Sequence, residues 1–493
     1  MTVPRAPLFL YALALLWHLA WASMSHAPWD WDPSYYLGVA RHIAAGEGAV
    51  TDAVWNLGWL PPTLRHPADL HWMPLPSRWL VPFLALPLPP WRAAQLGTVL
   101  IGAAWAPLAW AQARAWGRSE GVAVVAGIGG ALAGGYVRYL TLPDSIALYG
   151  TVGALAVHAT STRRMGPALV ALALAAWSRT DGLLLSLALA TAWQGRARLV
   201  IAAAGPLAAL VWAVRNRIVA GDGATLLRLR ALQALDPTAW LTLTPPEPAG
   251  LWTRLVFLGD HLGALGRTWV AVTLALPVPF LVFALLRSWG SRRRADGAGA
   301  AWPSIRAVLL YGVGMPPLLY VAAPAVAFEG SVFRSLAALW PALSALAMSG
   351  AADVTRRYHP AFIPGLLLVA LAGMGVAAGT APGRFPEPLP DCEALDVVGA
   401  PGGAAVLSYD PIGLSTRCGR PGVILGRTMT PPDIESLAAR YSISWVLTAP
   451  VGYASWTLEA DAFEVAGWVR RGERVWERTG PATGQGPGMQ VSE

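Results

Sequence analysis

Residues Trp29 to Gly48 read WDWDPSYYLGVARHIAAGEG, and this stretch decides how the rest of the chain is read. It follows directly on an apolar segment, so it begins at a membrane surface. Asp30 and Asp32 stand there among Trp29, Trp31, Tyr35 and Tyr36. Asp32 followed by Pro33 predicts a helix start, because a carboxylate accepts free amide hydrogens of the first turn and proline is tolerated there. From Tyr35 onward, Tyr36, Val39, Ala40 and Ile43 recur on one side at helical spacing, with Arg41 and His42 opposite. Gly46 and Gly48 end the element. The reading is a short amphipathic helix lying along a bilayer, with an acid at its mouth.

The totals agree with a membrane setting. Of 493 residues, 55% are hydrophobic and 13% charged, against about 25% charged in soluble domains. The 25 Trp and 12 Tyr suit membrane–water interfaces. The net charge is +8 and the chain contains no lysine, so arginine carries all the positive charge. No basic run with interleaved aromatics and no nucleic-acid module occurs, which argues against a nucleic-acid partner. No P-loop, GxGxxG after a strand, GxSxG or zinc-protease pattern is present.

A span needs about 20 apolar residues. The first runs from Leu8 to Ser25; Ala20-Trp21-Ala22 also fits a cleaved signal peptide, but the many later spans favour an uncleaved anchor. A Pro-rich polar-aromatic loop reaches Trp91, with Trp79 to Leu88 apolar but too short to cross. Further spans are expected over 93–113, 121–136, 145–159, 166–177, 182–193, 200–214, 269–286, 307–323, 332–348 and 361–378, giving about eleven. Between two of them, SRTDG at Ser178–Gly182 reads as a dip, tolerated where protein or a cavity surrounds it. Arg114 with Arg118, Arg163 with Arg164, Arg196 with Arg198, Arg287 with Arg292 to Arg294, and Arg356 with Arg357 share one side. The positive-inside rule makes that side cytoplasmic. Asp32, Asp144, Asp181 and the tail then face outward, which implies a multi-pass protein of the cytoplasmic (inner) membrane with an extracytoplasmic site. The expected organisation is a mainly α transmembrane domain over 1–380 with a first outer loop at about 26–92, an extracytoplasmic α/β domain over 381–480 with strand-like runs at Ala404–Tyr409, Gly422–Gly426 and Ser444–Ala449 and a helix opened by Pro432 and Asp433, and a disordered tail over 481–493. Cys392 and Cys418 both lie in the second domain, as a disulfide or as two free thiols.

Each chemical candidate has a plain alternative. Asp32 at an apolar surface is partly desolvated and suited to take a proton from a hydroxyl, or it only starts a helix. Asp30 is the weaker acid of the two. Asp144, in RYLTLPDSIALYG, is a membrane acid with a functional partner or an N-cap. HPADLHW places His66, Asp69 and His71 in the loop, as substrate contacts or interfacial histidines. No certain cofactor follows; the alternative is a divalent cation held by Asp30 or Asp32 with one histidine. Arg138, Arg179, Arg215, Arg217 and Arg334 break the orientation rule, and their planar forks match phosphate oxygens, with Arg138 and Arg215 the first choices to stabilise a leaving phosphate. Arg179 with Asp181 also reads as an internal ion pair, and Arg215 as a snorkelling side chain.

The acidic residue followed by YY and VAR-x-I-x-x-G-x-G resembles the first outer loop of the GT-C glycosyltransferases. The similarity is to the bacterial branch that holds the protein O-mannosyltransferases and the lipid A aminoarabinose transferases. HPADLHWMPLPS with WRAAQ, PDSIALYG and SRTDGLLL also look like that branch, so the motifs cover roughly residues 1 to 220. The resemblance implies a transferase that moves a sugar from a polyprenyl-phosphate donor to a lipid, glycan or protein acceptor on the outer membrane face. It makes Asp32 the catalytic base or the organiser of the site, of which the base is the role adopted, and Asp144 the second acid; Tyr35 and Tyr36, next to Asp32, are substrate-binding candidates. The family often carries two adjacent acids, whereas here Trp31 and Pro33 flank Asp32. The rival class is a polytopic transporter or lipid flippase, which typically shows matching halves; no such pairing occurs here.

Overall fold

The computed structural model describes residues 5–25, 31–220, 301–322, 332–358, 391–450 and 457–479. The described parts of Met1–His26, Trp72–Ile218 and Ala249–Pro386 form one compact unit, and those of Ala27–His71 and Glu387–Glu493 form a second.

In the first unit, α1 (Arg5–Ser23) buries Leu10, Ala14, His18 and Ala22, one per turn, and exposes Leu8, Phe9 and Leu16. Apolar residues on an outer face are what lipid solvates. The apolar segment Trp79–Leu88, too short to cross, takes in the end of a helix over Leu75–Leu80 and a 3-10 turn over Val81–Ala85. The bundle continues through a helix at Pro90–Ala103, one at Trp105–Ala115, and one at Glu120–Leu132. Next come Ser145–Ser161, Met165–Ser178, Gly182–Ala190 and Gly195–Ala220. It closes with Trp302–Ala322, Val332–Leu336 and Trp340–Tyr358. With Trp31–Ala44 of the second unit as α2, these helices are α3 to α13 in chain order.

Helix α7 (Ser145–Ser161) is the hub, because it is apolar or small nearly all round and buries almost every residue. Its glycines allow the close approach: a Cβ on Gly150 would lie 2.0 Å from the ring of Trp105 on α5. On α4, Gln95 donates to Ala22 O and to Thr141 O, tying the end of α1 to the turn just ahead of α7. At the other end of the bundle Arg118 makes a double hydrogen bond to Asp353 (2.9 and 3.0 Å), and Arg163 donates to Ala192 O at the end of α9.

Among the described residues, four helices are long and apolar enough to cross a membrane: Arg5–Ser23, Pro90–Ala115, Gly195–Ala220 and Val332–Asp353. The expected count of about eleven is therefore not reached there. The spans expected over 269–286 and 361–378 lie outside the described residues. Helices α6 to α9, with 13, 17, 14 and 9 residues, are shorter than a bilayer requires of an isolated helix.

The second unit is α/β. The strand-like runs of the tail form β4 (Val406–Ser408), β5 (Gly422–Ile424) and β6 (Trp445–Leu447), which are mutually parallel. Between them run α15 (Pro411–Cys418) and α16 (Pro431–Tyr441), while α14 is Asp391–Val397. Thr430 caps α16 and Asp433 reaches back to the Thr430 N–H, a capping box ahead of two prolines. Strands β7 (Trp468–Arg470) and β8 (Val475–Arg478) add an antiparallel edge. The opposite edge comes from the first loop. Its short strands are β1 (Val50–Thr51), β2 (Ala53–Val54) and β3 (His66–Pro67), and β2 pairs in parallel with β5. The sheet order is thus β2-β5-β4-β6-β8-β7.

Cys392 and Cys418 are bonded, joining α14 to α15. Beside the bridge, the fully buried Asp391 accepts from Tyr409 (2.9 Å), Arg417 (3.2 Å) and Arg474 (3.3 Å). A buried carboxylate is tolerated when it is paired in this way. Burial, followed by the charge of Asp391, pushes the Tyr409 phenol far above its usual range.

Candidate functional site

In the second unit, α2 starts at Trp31, so Asp32 is in the first turn and is not the cap. An acid in the first turn is favoured there by the helix dipole. The preceding Asp30 and Trp29 lie outside the described residues. A second expectation is also corrected. The buried side of α2, from Pro33 to Leu37 with Val39 and Ala40, packs against protein, chiefly α15, and not against lipid.

Tyr35 and Tyr36 are buried, with ring centroids 5.8 Å apart and edge-on. Tyr35 Oη accepts the backbone N–H of Asp69 at 2.6 Å. Asp69 is fully buried and has φ +63, a left-handed conformation uncommon outside glycine. His66 and His71 flank this turn. His66 Nδ1 sits 2.7 Å from Leu64 O with its ring edge-on to Trp59, and burial lowers its pKa. His71 lies edge-on to Trp55 at 4.7 Å. Among the described residues, no three of His, Cys, Asp and Glu come together as metal ligands.

The polar side of α2 carries a charge cluster that the spacing of the sequence did not flag. His42 Nδ1 is 2.6 Å from Glu47 and its Nε2 is 3.3 Å from Asp52. Arg65 bonds both oxygens of Asp52, at 2.8 and 3.1 Å. The hydrogen bond to Asp52 raises the His42 pKa against the opposing effect of burial. Burial alone would lift the Asp52 carboxyl, but the bonds from His42 and Arg65 outweigh it and hold it far below its usual range.

In the first unit, three of the expected site residues come together. Asp144 caps α7, accepting from Ile146 N at 3.3 Å and from the Ser145 hydroxyl at 2.9 Å. The cap reading of Asp144 holds, and the carboxylate is buried. Arg179 Nη1 reaches Ser145 Oγ at 3.4 Å and its Nε bonds Asp181 at 3.1 Å. The guanidinium also lies over the Tyr149 ring, 5.9 Å from its centroid. Ser335 of α12 donates to the same oxygen of Asp181. Beside it, the Tyr149 and Tyr311 hydroxyls share a 2.6 Å hydrogen bond, and Tyr311 reaches Ser335 O at 3.4 Å. The SRTDG dip is therefore a built polar cluster. Its arginine is oriented by a carboxylate, and two serines and two tyrosines surround it.

Arg138 is buried in the turn before α7, over the Tyr139 ring at 5.2 Å. Arg215, near the end of α10, bonds Asn216 at 3.0 Å. Sequence reading missed Ser145, Ser335, Tyr149 and Tyr311. The hydroxyls of Tyr149 and Tyr311 sit on apolar helices that give no sign of where their partners come from.

No protein-family model and no curated protein matches the sequence. Solved structures do match in shape. ArnT from Cupriavidus metallidurans bound to undecaprenyl phosphate aligns with a TM-score of 0.58 and 13% identity, over 97% of this chain and 99% of that one. The Archaeoglobus fulgidus oligosaccharyltransferase in the apo form aligns with a TM-score of 0.55 and 13% identity, over 90% of this chain and 69% of that one. The same enzyme tethered to an acceptor peptide containing the NVT sequon aligns at 0.54 with 12% identity, over 89% and 69%. Both proteins are GT-C glycosyltransferases, and at this identity what they share with this chain is the fold.

Proposed function

We propose that this chain, a membrane protein built on the GT-C fold, transfers a sugar from a polyprenyl-phosphate carrier to an acceptor on the extracytoplasmic face of the cytoplasmic membrane. The observation that carries the reading is Arg179, aimed by Asp181 within a polar cluster of the helical unit. Arginine presents a planar fork suited to phosphate oxygens. ArnT, on the same fold, was solved with undecaprenyl phosphate.

In the proposed reaction the acceptor hydroxyl gives its proton to Asp32 as its oxygen attacks the anomeric carbon. The bond from that carbon to the phosphate oxygen breaks, the configuration inverts, and polyprenyl phosphate leaves with the electron pair. Arg179 is the first choice to stabilise the charge that develops on the leaving phosphate, with Arg138 and Arg215 as further cations. Electrostatic stabilisation of this kind is usually the largest catalytic contribution. Asp144 holds Ser145 and thereby Arg179.

The test uses full-length protein in liposomes with a panel of radiolabelled polyprenyl-phosphate sugars and lipid, glycan and peptide acceptors. The proposal expects label in an acceptor together with an equal release of polyprenyl phosphate. Label that crosses the bilayer still attached to its carrier, with none in any acceptor, would instead establish a flippase.

A further inference from the structure

We infer that α15 of the C-terminal domain positions α2, and that Thr416 is the positioning residue, its hydroxyl seated in a notch that Gly38 leaves in α2. The inference rests on the proposed role of Asp32, since α2 is the helix that carries it. Thr416 Oγ1 donates to Ser34 O at 2.8 Å, two residues beyond Asp32. A Cβ added to Gly38 would lie 2.8 Å from that same Oγ1, closer than such atoms approach without displacement. An outside hydroxyl reaches a carbonyl within a helix only where no side chain stands in its path. Glycine inside a helix is destabilising in itself, and here it opens that path.

The backbone of Thr416 is held as well: Arg41 Nη1, on the next turn of α2, donates to Thr416 O at 2.8 Å. One residue of α15 thus bonds α2 near its start and near its end, which fixes both the height and the rotation of the helix. Thr416 is itself anchored from behind. Arg417 is paired with Asp391 and Asp410, and Cys418 is bonded to Cys392. The C-terminal domain therefore reaches the chemistry by holding the helix of the base in register.

The test compares Gly38→Ala, Thr416→Ala, the double variant and Thr416→Ser, all full-length and in liposomes. Two quantities are read: kcat and KM for sugar transfer, and amide hydrogen exchange over residues 31–44. The inference expects Gly38→Ala to lower kcat by about tenfold or more with little change in donor KM, as small misplacement of a catalytic group does. Exchange in α2 should rise in the same variant. The double variant should recover only to the level of Thr416→Ala, because the smaller residue at 416 vacates the notch but no longer donates to Ser34 O, and Thr416→Ser should behave as the parent. A double variant no better than Gly38→Ala, or single variants with unchanged exchange in α2, would overturn the inference. A parent protein that turns over no donor overturns the proposed function instead, and the exchange measurement still decides how α2 is held.

Discussion

Ser335 donates its hydroxyl to the carboxylate of Asp181, 154 residues earlier in the chain, and the same oxygen takes the Nε–H of Arg179. Asp181 and Ser335 are buried. The carboxylate is thus held from two sides, and it sets the direction of the guanidinium fork.

Removing one partner from a buried ion pair leaves the other charge uncompensated, which costs about 3–5 kcal/mol. Losing a neutral hydrogen bond to a charged group costs less, about 1.5–3 kcal/mol. Asp181→Ala should therefore lower the thermal midpoint of the purified protein more than Ser335→Ala does. Equal effects would mean that the pair is not the element that holds this end of the bundle.

Arg179 should not tolerate lysine. A compact ammonium does not reproduce a planar fork that bonds Asp181 and Ser145 together. Steady-state transfer assays should show a loss of about a hundredfold in kcat for Arg179→Ala, with Arg179→Lys recovering little. Full recovery by lysine would reduce the role to point charge.

The cluster on the polar side of α2 gives a pH dependence. The His42 pKa is raised, so its contribution to stability is complete below its unfolded value of 6.5 and fades as pH rises through the folded value. The Asp52 pKa is depressed, so its contribution is present above 3.8 and fades as pH falls through the folded value. The stabilising effect of His42 relative to His42→Gln, read as a difference in thermal midpoint, should be fully present below pH 6.5 and decline as pH rises above it. A difference that grows with pH would contradict the pairing.

The bridge between Cys392 and Cys418 closes a loop with a sequence separation of 26. On the chain-entropy account such a loop contributes about 3 kcal/mol. Reductant, or the double change to serine, should lower the thermal midpoint and raise exchange in α15. An unchanged midpoint would assign the bridge no part in holding the domain together.

Much of the architecture was legible where a local rule sufficed. The cap at Asp144, the Pro-Pro-Asp start of α16 and the strands of the tail are all short-range signals. Partners were not legible. The periodicity of Tyr36, Val39 and Ala40 revealed a buried face but not that α15, far along the chain, would cover it. Nothing near Ala53–Val54 announces pairing with β5. Breaking the orientation rule singled out Arg179 among five arginines, but not its neighbours Ser335 and Ser145, which arrive through packing. Asp32 lies in the first turn of α2, since aspartate is accommodated there as well as at a cap.

The most direct measurement is transfer from a radiolabelled polyprenyl-phosphate sugar by purified parent protein and by Asp32→Asn, with folding of both checked by thermal unfolding. A missing general base should cost about a hundredfold or more in kcat at an unchanged thermal midpoint. Asp32→Asn protein that transfers sugar at the parental rate would contradict the account.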